Sequence, residues 1–309
     1  MDYRSLGGTG LRVSALSFGA SPLGSVFERI DEAEGVRAVL LAAEMGINFF
    51  DCSPYYGLTK AETVLGRGLR QLRREQYLIS TKVGRYGPEQ FDFSAARVKR
   101  SIDESLARLG CGHIDIVHCH DVEYASLEQI ITETLPALRE VQKSGKVRFV
   151  GITGLPLTIF TYVLQRSEVD VVLSYCRYAL NNTTLMQILP TLKEKNVGVI
   201  SASPLSMGLL SERGVPDWHP ASAEARQVCL RAAQLAQGLG GNISKLAIQF
   251  AVANRDIANT LVGMATTEEV RRNVEVLDGP IDMGLLREVT EVIKPIKDQL
   301  WTTGRAGNN

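Results

Sequence analysis

The sequence predicts an α/β fold, a closed (β/α)8 TIM barrel of parallel strands, on three observations. Eight short β-rich apolar runs alternate from end to end with longer amphipathic segments. Each connection between runs is long enough for a helical crossover, and no Pro/Ser-rich linker or compositional break divides the 309 residues. One barrel domain spanning residues 1–309 is therefore expected.

In chain order, the first fourteen residues read as a β-hairpin turning at Gly7-Gly8-Thr9-Gly10, ahead of the first barrel strand, where it would close the bottom of the barrel. The barrel runs are Leu16–Phe18, Ile47–Phe50, Tyr77–Ser80, Ile114–Val117, Val147–Val150, Val171–Leu173, Val197–Ile200 and Thr260–Val262. Helical patterns occupy 31–45, 94–109 behind a Ser94 cap, and 127–143, which Ser144-Gly145 ends. A doubly wound sheet would need a GxGxxG turn directly after a strand. Gly7-Gly8-Thr9-Gly10 follows a hairpin arm and Gly66-Arg67-Gly68 a helical segment, so both read as ordinary turns. The stretch 201–259 is the longest connection, and its 213–220 part, with Trp218 beside two prolines, reads as a lid over the barrel mouth or as a plain surface loop. The tail 304–309 reads as a mobile end.

Thirty-four basic residues balance thirty-four acidic ones, so no whole-chain field attracts nucleic acid or an anionic membrane. With 45% hydrophobic and 22% charged residues, the chain has ample apolar surface for one large core. The longest nearly apolar stretch, 246–253, is far short of a membrane span, and the N-terminus lacks an apolar signal region, so a cytoplasmic protein is expected. Five scattered cysteines without a CxxC pair read as reduced thiols.

In a barrel enzyme the chemistry sits where strands end, and four polar residues stand there: Asp51, Tyr56 five residues into the following loop, Lys82 and His120. Each alone is more simply a cap, a packed aromatic, a surface charge or a core histidine; their convergence on one face is what points to a site. Strand alternation puts His118 on the same face as His120 but one layer deeper. A metal site at His113, His118, Cys119 and His120 is disfavoured because Cys119 and His120 point to opposite faces. Cys52 is a poor nucleophile because the Asp51 carboxylate raises a neighbouring thiol's pKa.

The segments FFDCSPYYGLTKAETVLGRGL, STKVG, IDIVHCHD, GKVRFVGIT and SASPLSMGLL, placed at the ends of strands two, three, four, five and seven, resemble the aldo-keto reductase family over nearly the whole chain. The resemblance implies a barrel that binds an extended nicotinamide cofactor and a tetrad of Asp51, Tyr56, Lys82 and His120. Hydride transfer at a carbonyl carbon needs a proton donor or acceptor at the oxygen. Tyr56 would fill that role, its phenol lowered by Lys82, with Asp51 holding the lysine and a neutral His120 orienting the substrate oxygen.

The same resemblance implies Gly19, Ala20 and Ser21 beside the nicotinamide ribose, and Ser203, Pro204, Leu205 and Met207 around the pyrophosphate. Thr153-Gly154 and Ser174 stand where relatives carry the carboxamide-binding residues, and Ala202 stands where many place a stacking aromatic. Thr267 and Asn273 complete the adenosine end. Members that prefer a 2′-phosphate commonly carry Lys and Arg where this chain has Gly263 and Glu269, so NAD is expected over NADP. Within the family, DCSPYYGLTKAE, HIDIVHCHDVEY, SYCRYALNN and LSERGVPDWHPAS resemble a plant branch that oxidises L-galactose at C1 on the route to ascorbate. A small sugar is thus the expected partner, with Tyr86, Asp121, Tyr124, Arg177 and Trp218 as pocket residues. Asp121 reads equally as a turn residue. Two other readings share the barrel: another sugar or aldehyde substrate, or a nicotinamide-binding regulatory subunit.

Overall fold

The computed structural model describes residues 1–309. A two-stranded antiparallel hairpin, β1 (Tyr3–Ser5) and β2 (Arg12–Ser14), precedes eight parallel strands. These are β3 (Leu16–Gly19), β4 (Phe49–Asp51), β5 (Leu78–Val83), β6 (Ile114–Cys119), β7 (Val147–Gly154), β8 (Val171–Tyr175), β9 (Gly198–Ala202) and β10 (Asn259–Gly263). They pair in chain order, and β10 returns to β3 to close the barrel. All eight expected runs are barrel strands. Several extend further toward the C-terminal face than their apolar cores suggested, because polar residues such as Lys82 and Thr153 continue the ladder at the mouth.

The hairpin plugs the opposite end. Leu6, Leu11 and Val13 are buried against Phe49, Ile116, Val171, Leu173, Ile200 and Leu261, which fill the barrel's lower interior. Close approach requires Gly7: its φ is +51°, and a Cβ there would lie 2.3 Å from the Gly198 nitrogen. Around the sheet run the helices Glu32–Glu44, Lys60–Leu69, Ala95–Leu109, Leu135–Lys143, Leu157–Leu164 and Leu189–Glu194, sealing a second apolar layer against its outer face. Ser94 caps its helix by accepting from the Arg97 N–H, as expected. The 127–143 pattern is one helical run with a π turn at Ile130–Thr134; Pro136, which lacks an N–H, comes two residues after the widened turn.

The long β9–β10 connection carries two helices, Ala223–Gly238 and Ile243–Ala253, which with Met283–Ile293 bury their own apolar cluster. One expectation is corrected. The C-terminal tail is docked rather than mobile: the Arg305 N–H donates to the Glu123 carbonyl at 2.9 Å, and Asn308 Nδ2 donates to the carbonyls of Glu123 and Ala125 at 2.8 and 3.0 Å. Its small polar residues satisfy carbonyls that the turn after β6 leaves open. No helix is long and apolar enough to cross a membrane.

Replacing Leu6 with Ala should lower the free energy of unfolding by ~2–5 kcal/mol, the usual range for truncating a fully buried leucine. Urea titration followed by far-UV circular dichroism measures it. A loss below ~1 kcal/mol would mean that the hairpin lies outside the cooperative unit.

Candidate active site

The C-terminal mouth of the barrel brings Asp51, Tyr56, Lys82 and His120 together. The β4–β5 register pairs Asp51 with Ser80, so Lys82, two residues on and on the same face, lies beside the carboxylate. Lys82 Nζ donates to Asp51 Oδ2 at 2.5 Å and to the Cys52 carbonyl at 2.8 Å. The Ser80 hydroxyl donates to the other Asp51 oxygen. Burial works against the Lys82 ammonium, but the Asp51 charge and hydrogen bond outweigh it and hold its pKa above the ordinary lysine value. Lys82 Nζ stands 4.9 Å from the centre of the Tyr56 ring.

Tyr56 is held by a turn that has no room for side chains. The Tyr56 N–H donates to the Ser53 carbonyl at 3.1 Å. The loop after β3 presses against this turn back to back: a Cβ on Gly24 would lie 2.6 Å from the Tyr56 carbonyl carbon, and Gly57 (φ +61°) packs on Gly24. The expected net lowering of the phenol is corrected: burial outweighs the pull of Lys82. Burial pushes the Tyr56 pKa up to about 12, with Lys82 acting in the opposite direction. In this environment the phenol holds its proton.

His120 stands edge-on to Tyr56, ring centres 5.7 Å apart. Its Nδ1 is 3.0 Å from the Ser53 hydroxyl and its Nε2 is 3.6 Å from Asp121 Oδ2. Burial depresses its pKa to about 3, assisted by Lys82 and Arg85 and opposed by Asp121, so the imidazole is neutral. His118 is the deeper layer residue expected. It is fully buried, both ring nitrogens lack partners, and a Cβ on Gly151 would meet it at 2.4 Å.

The pocket residues divide. Asp121 takes a left-handed backbone (φ +47°) ahead of the short helix Val122–Tyr124. Its carboxylate is already engaged: Arg85 Nη1 donates at 2.5 Å and Thr153 Oγ1 at 3.1 Å. Arg85 in turn lies over the Tyr55 ring at 4.0 Å and the Tyr124 ring at 5.0 Å. Tyr124 also stacks on Phe91. Tyr86 braces the loop after β5, accepting from the Gly84 N–H at 3.1 Å beneath Arg97. Arg177 donates to the Leu155 carbonyl at 2.7 Å, tying the ends of β7 and β8. Trp218, 52% exposed, sits 5.9 Å from Phe27, and Arg213 pairs with Glu28 at 3.3 Å. The 213–220 segment therefore reaches past β10 to the loop after β3, as a strap across the mouth.

The residues that the resemblance assigns to the cofactor lie along the same face. Ser174, the last but one residue of β8, has a buried hydroxyl without a partner, whereas Thr153 is committed to Asp121. After β9, Ser203, Ser206 and Met207 adopt left-handed backbone, so Ser203, Pro204, Leu205 and Met207 form a tight, concave turn. Such turns cradle anions through their N–H groups. His219 braces this turn by donating Nε2–H to the Ser206 carbonyl at 3.0 Å, its Nδ1 accepting from Ala221. Gly19 lies so close to β10 that a Cβ would be 3.1 Å from the Val262 carbonyl oxygen; Ala20 and Ser21 continue into the loop. Gly263 is exposed at the end of β10 and Asn273 is buried on the helix Thr267–Glu275. Glu269 forms a capping box with Thr266, accepting from the Ala265 N–H at 2.8 Å. Thr267 donates through its N–H and hydroxyl to Glu34, whose pKa these bonds lower to about 2.

Ser53, Ser80, Arg85 and Glu34 were not singled out from the sequence. Only Ser80 carried a signal, its two-residue offset from Lys82 on one strand face. The others reach the site from loops or a distant helix.

Residues 15–294 match the aldo/keto reductase family. The chain is 51% identical to the L-galactose dehydrogenase of Arabidopsis thaliana over 98% of each chain. The chain belongs to the aldo-keto reductase family. It is 33% identical to the D-arabinose 1-dehydrogenase of Saccharomyces cerevisiae, over 84% of this chain and 81% of that one. It superposes on the holo form of an aldo-keto reductase from Bacillus halodurans with a TM-score of 0.80 and 26% identity, covering 97% and 98% of the two chains. This aldo-keto reductase is an NAD(P)-dependent oxidoreductase acting on CH–OH or aldehyde groups.

The high Tyr56 pKa gives the pH dependence its sign. With Tyr56 as the proton acceptor that the family resemblance implies, alcohol oxidation needs the phenolate, whose share rises about tenfold per pH unit below the pKa. Steady-state oxidation rates should therefore climb from pH 6 to 9, with no acid limb from His120 in that interval. A flat profile would assign the proton to another group.

Proposed function

We propose that this single-barrel enzyme oxidises L-galactose at C1 to the galactonolactone with NAD, in the cytoplasm, as a step toward ascorbate. The observation that carries the reading is the near-full-length identity to a plant L-galactose dehydrogenase, joined to an assembled Asp51–Lys82–Tyr56–His120 mouth.

When bound, the nicotinamide ring is the acceptor of the C1 hydride. The Tyr56 oxygen takes the C1 hydroxyl proton, and the ammonium of Lys82 stabilises the phenolate. Asp51 keeps that ammonium charged and aimed. His120, neutral, holds the substrate oxygen by a hydrogen bond. Gly19, Ala20, Ser21 and the unpartnered Ser174 would border the nicotinamide riboside, and the left-handed Ser203–Met207 turn would hold the pyrophosphate. Gly263, Thr267, Glu269 and Asn273 would border the adenosine. Three carboxylates, Glu34, Glu268 and Glu269, gather at that helix start; Arg37 pairs with Glu34 at 2.7 Å, and Arg213 of the strap lies between Glu28 and Glu269, so these four carboxylates face two cations. Such a setting disfavours a 2′-phosphate dianion and supports NAD.

The deciding experiment follows nucleotide reduction at 340 nm (the reduced-nicotinamide band) with NAD or NADP against L-galactose, D-galactose, L-fucose and a simple aldehyde. Turnover concentrated on L-galactose with NAD is expected. Equal efficiency with NADP would remove the cofactor assignment, and silence with every sugar would remove the substrate. Tyr56→Phe should lower kcat by at least ~100-fold while the NAD dissociation constant stays within about twofold, by nucleotide titration. Near-normal turnover would place the acid/base elsewhere.

A further inference from the structure

Ser53 lies in the loop after β4 and is fully buried. Its hydroxyl oxygen makes two hydrogen bonds, one from the Tyr55 N–H at 3.1 Å and one with His120 Nδ1 at 3.0 Å. An amide N–H is always a donor, so the first bond takes an oxygen lone pair and leaves the Ser53 proton free. If His120 carried its proton on Nδ1 and donated it, the Ser53 proton would be stranded in a buried site without an acceptor, at a cost of ~1–3 kcal/mol. Donation from Ser53 to Nδ1 satisfies both groups.

The other ring nitrogen gives the same answer independently. Nε2 is 3.6 Å from Asp121 Oδ2, on a carboxylate fixed by Arg85 and Thr153. A protonated Nε2 presents a positive N–H to that negative oxygen, whereas a bare Nε2 would set a lone pair against it. A neutral imidazole carries one proton, and both contacts put it on Nε2.

We propose that Ser53 is a positioning residue that fixes His120 as the Nε2–H tautomer, so that the imidazole meets the substrate oxygen as a hydrogen-bond donor. This rests on the reading in which His120 faces the substrate oxygen. The same residue's carbonyl accepts the Tyr56 N–H at 3.1 Å, so one turn sets the donor and the acid/base together.

The test is nitrogen-15 NMR of imidazole-labelled protein without cofactor. His120 is assigned among His113, His118 and His219 by the signals lost in His120→Asn. In the unmodified protein, Nε2 should resonate as a protonated nitrogen and Nδ1 as an unprotonated, hydrogen-bonded one. In Ser53→Ala the Nδ1 signal should move to the position of an unbonded ring nitrogen. For the substrate oxidised, kcat should fall about tenfold with a smaller change in KM, and Ser53→Thr, which keeps the hydroxyl, should restore both signal and rate to within about threefold. Protonated Nδ1 in the unmodified protein overturns the proposal, as does an Nδ1 signal unchanged in Ser53→Ala. The tautomer is read whether or not L-galactose is the substrate, so failure of the substrate assignment and failure of the Ser53 assignment are distinct results.

Discussion

Inside the upper end of the barrel, Lys82 and Asp51 face each other at 2.5 Å with almost no solvent exposure. Removing two charges from water costs several kcal/mol per ion, and mutual attraction offsets that only when geometry is good and the remaining donors and acceptors are satisfied. Here the adjacent strands supply the geometry, and Ser80 and the Cys52 carbonyl complete the hydrogen bonding. The pair therefore depends on barrel closure. In return it fixes the ammonium beside the Tyr56 ring, where a flexible surface lysine would not stay. Removing either partner would leave a bare buried charge, so the pair and the strand register stand together.

Around that pair the mouth is built from polar clamps rather than apolar packing. Asp121, in strained left-handed backbone, is held by Arg85 and Thr153, and Arg85 is held over Tyr55 and Tyr124. Glu123, buried two residues further, accepts from the Leu155 N–H and from Thr303, just ahead of the docked tail. Burial and the Asp121 charge push its pKa up to about 8. The loops after β5, β6 and β7 and the chain end are thereby one connected set. Such networks are costly when incomplete and rigid when satisfied. They hold the polar side chains of the mouth still.

Much of this was legible beforehand, for a definite reason. Strand ends are visible as apolar runs stopping at a polar residue, so Asp51, Lys82 and His120 could be placed on one face before any coordinate was known. His118 could be put one layer deeper by counting in twos. The tail was misread because small polar residues look unstructured until the carbonyls they satisfy are in view. Ser53 and Arg85 were invisible since their partners, His120 and Asp121, lie 67 and 36 residues away. Asp121 was legible as a turn residue, while the commitment of its carboxylate was not.

The sequence by itself determined the barrel, its hairpin plug and which polar residues converge at the strand ends, because periodicity and strand-end chemistry are local properties of the chain. Only the tertiary structure decided which hydroxyl meets which ring nitrogen, which carboxylates are already engaged and how far burial raises the Tyr56 phenol. Those depend on distances of a few ångströms between strands and loops far apart in sequence. Desolvation and hydrogen-bond satisfaction arise only when the barrel closes.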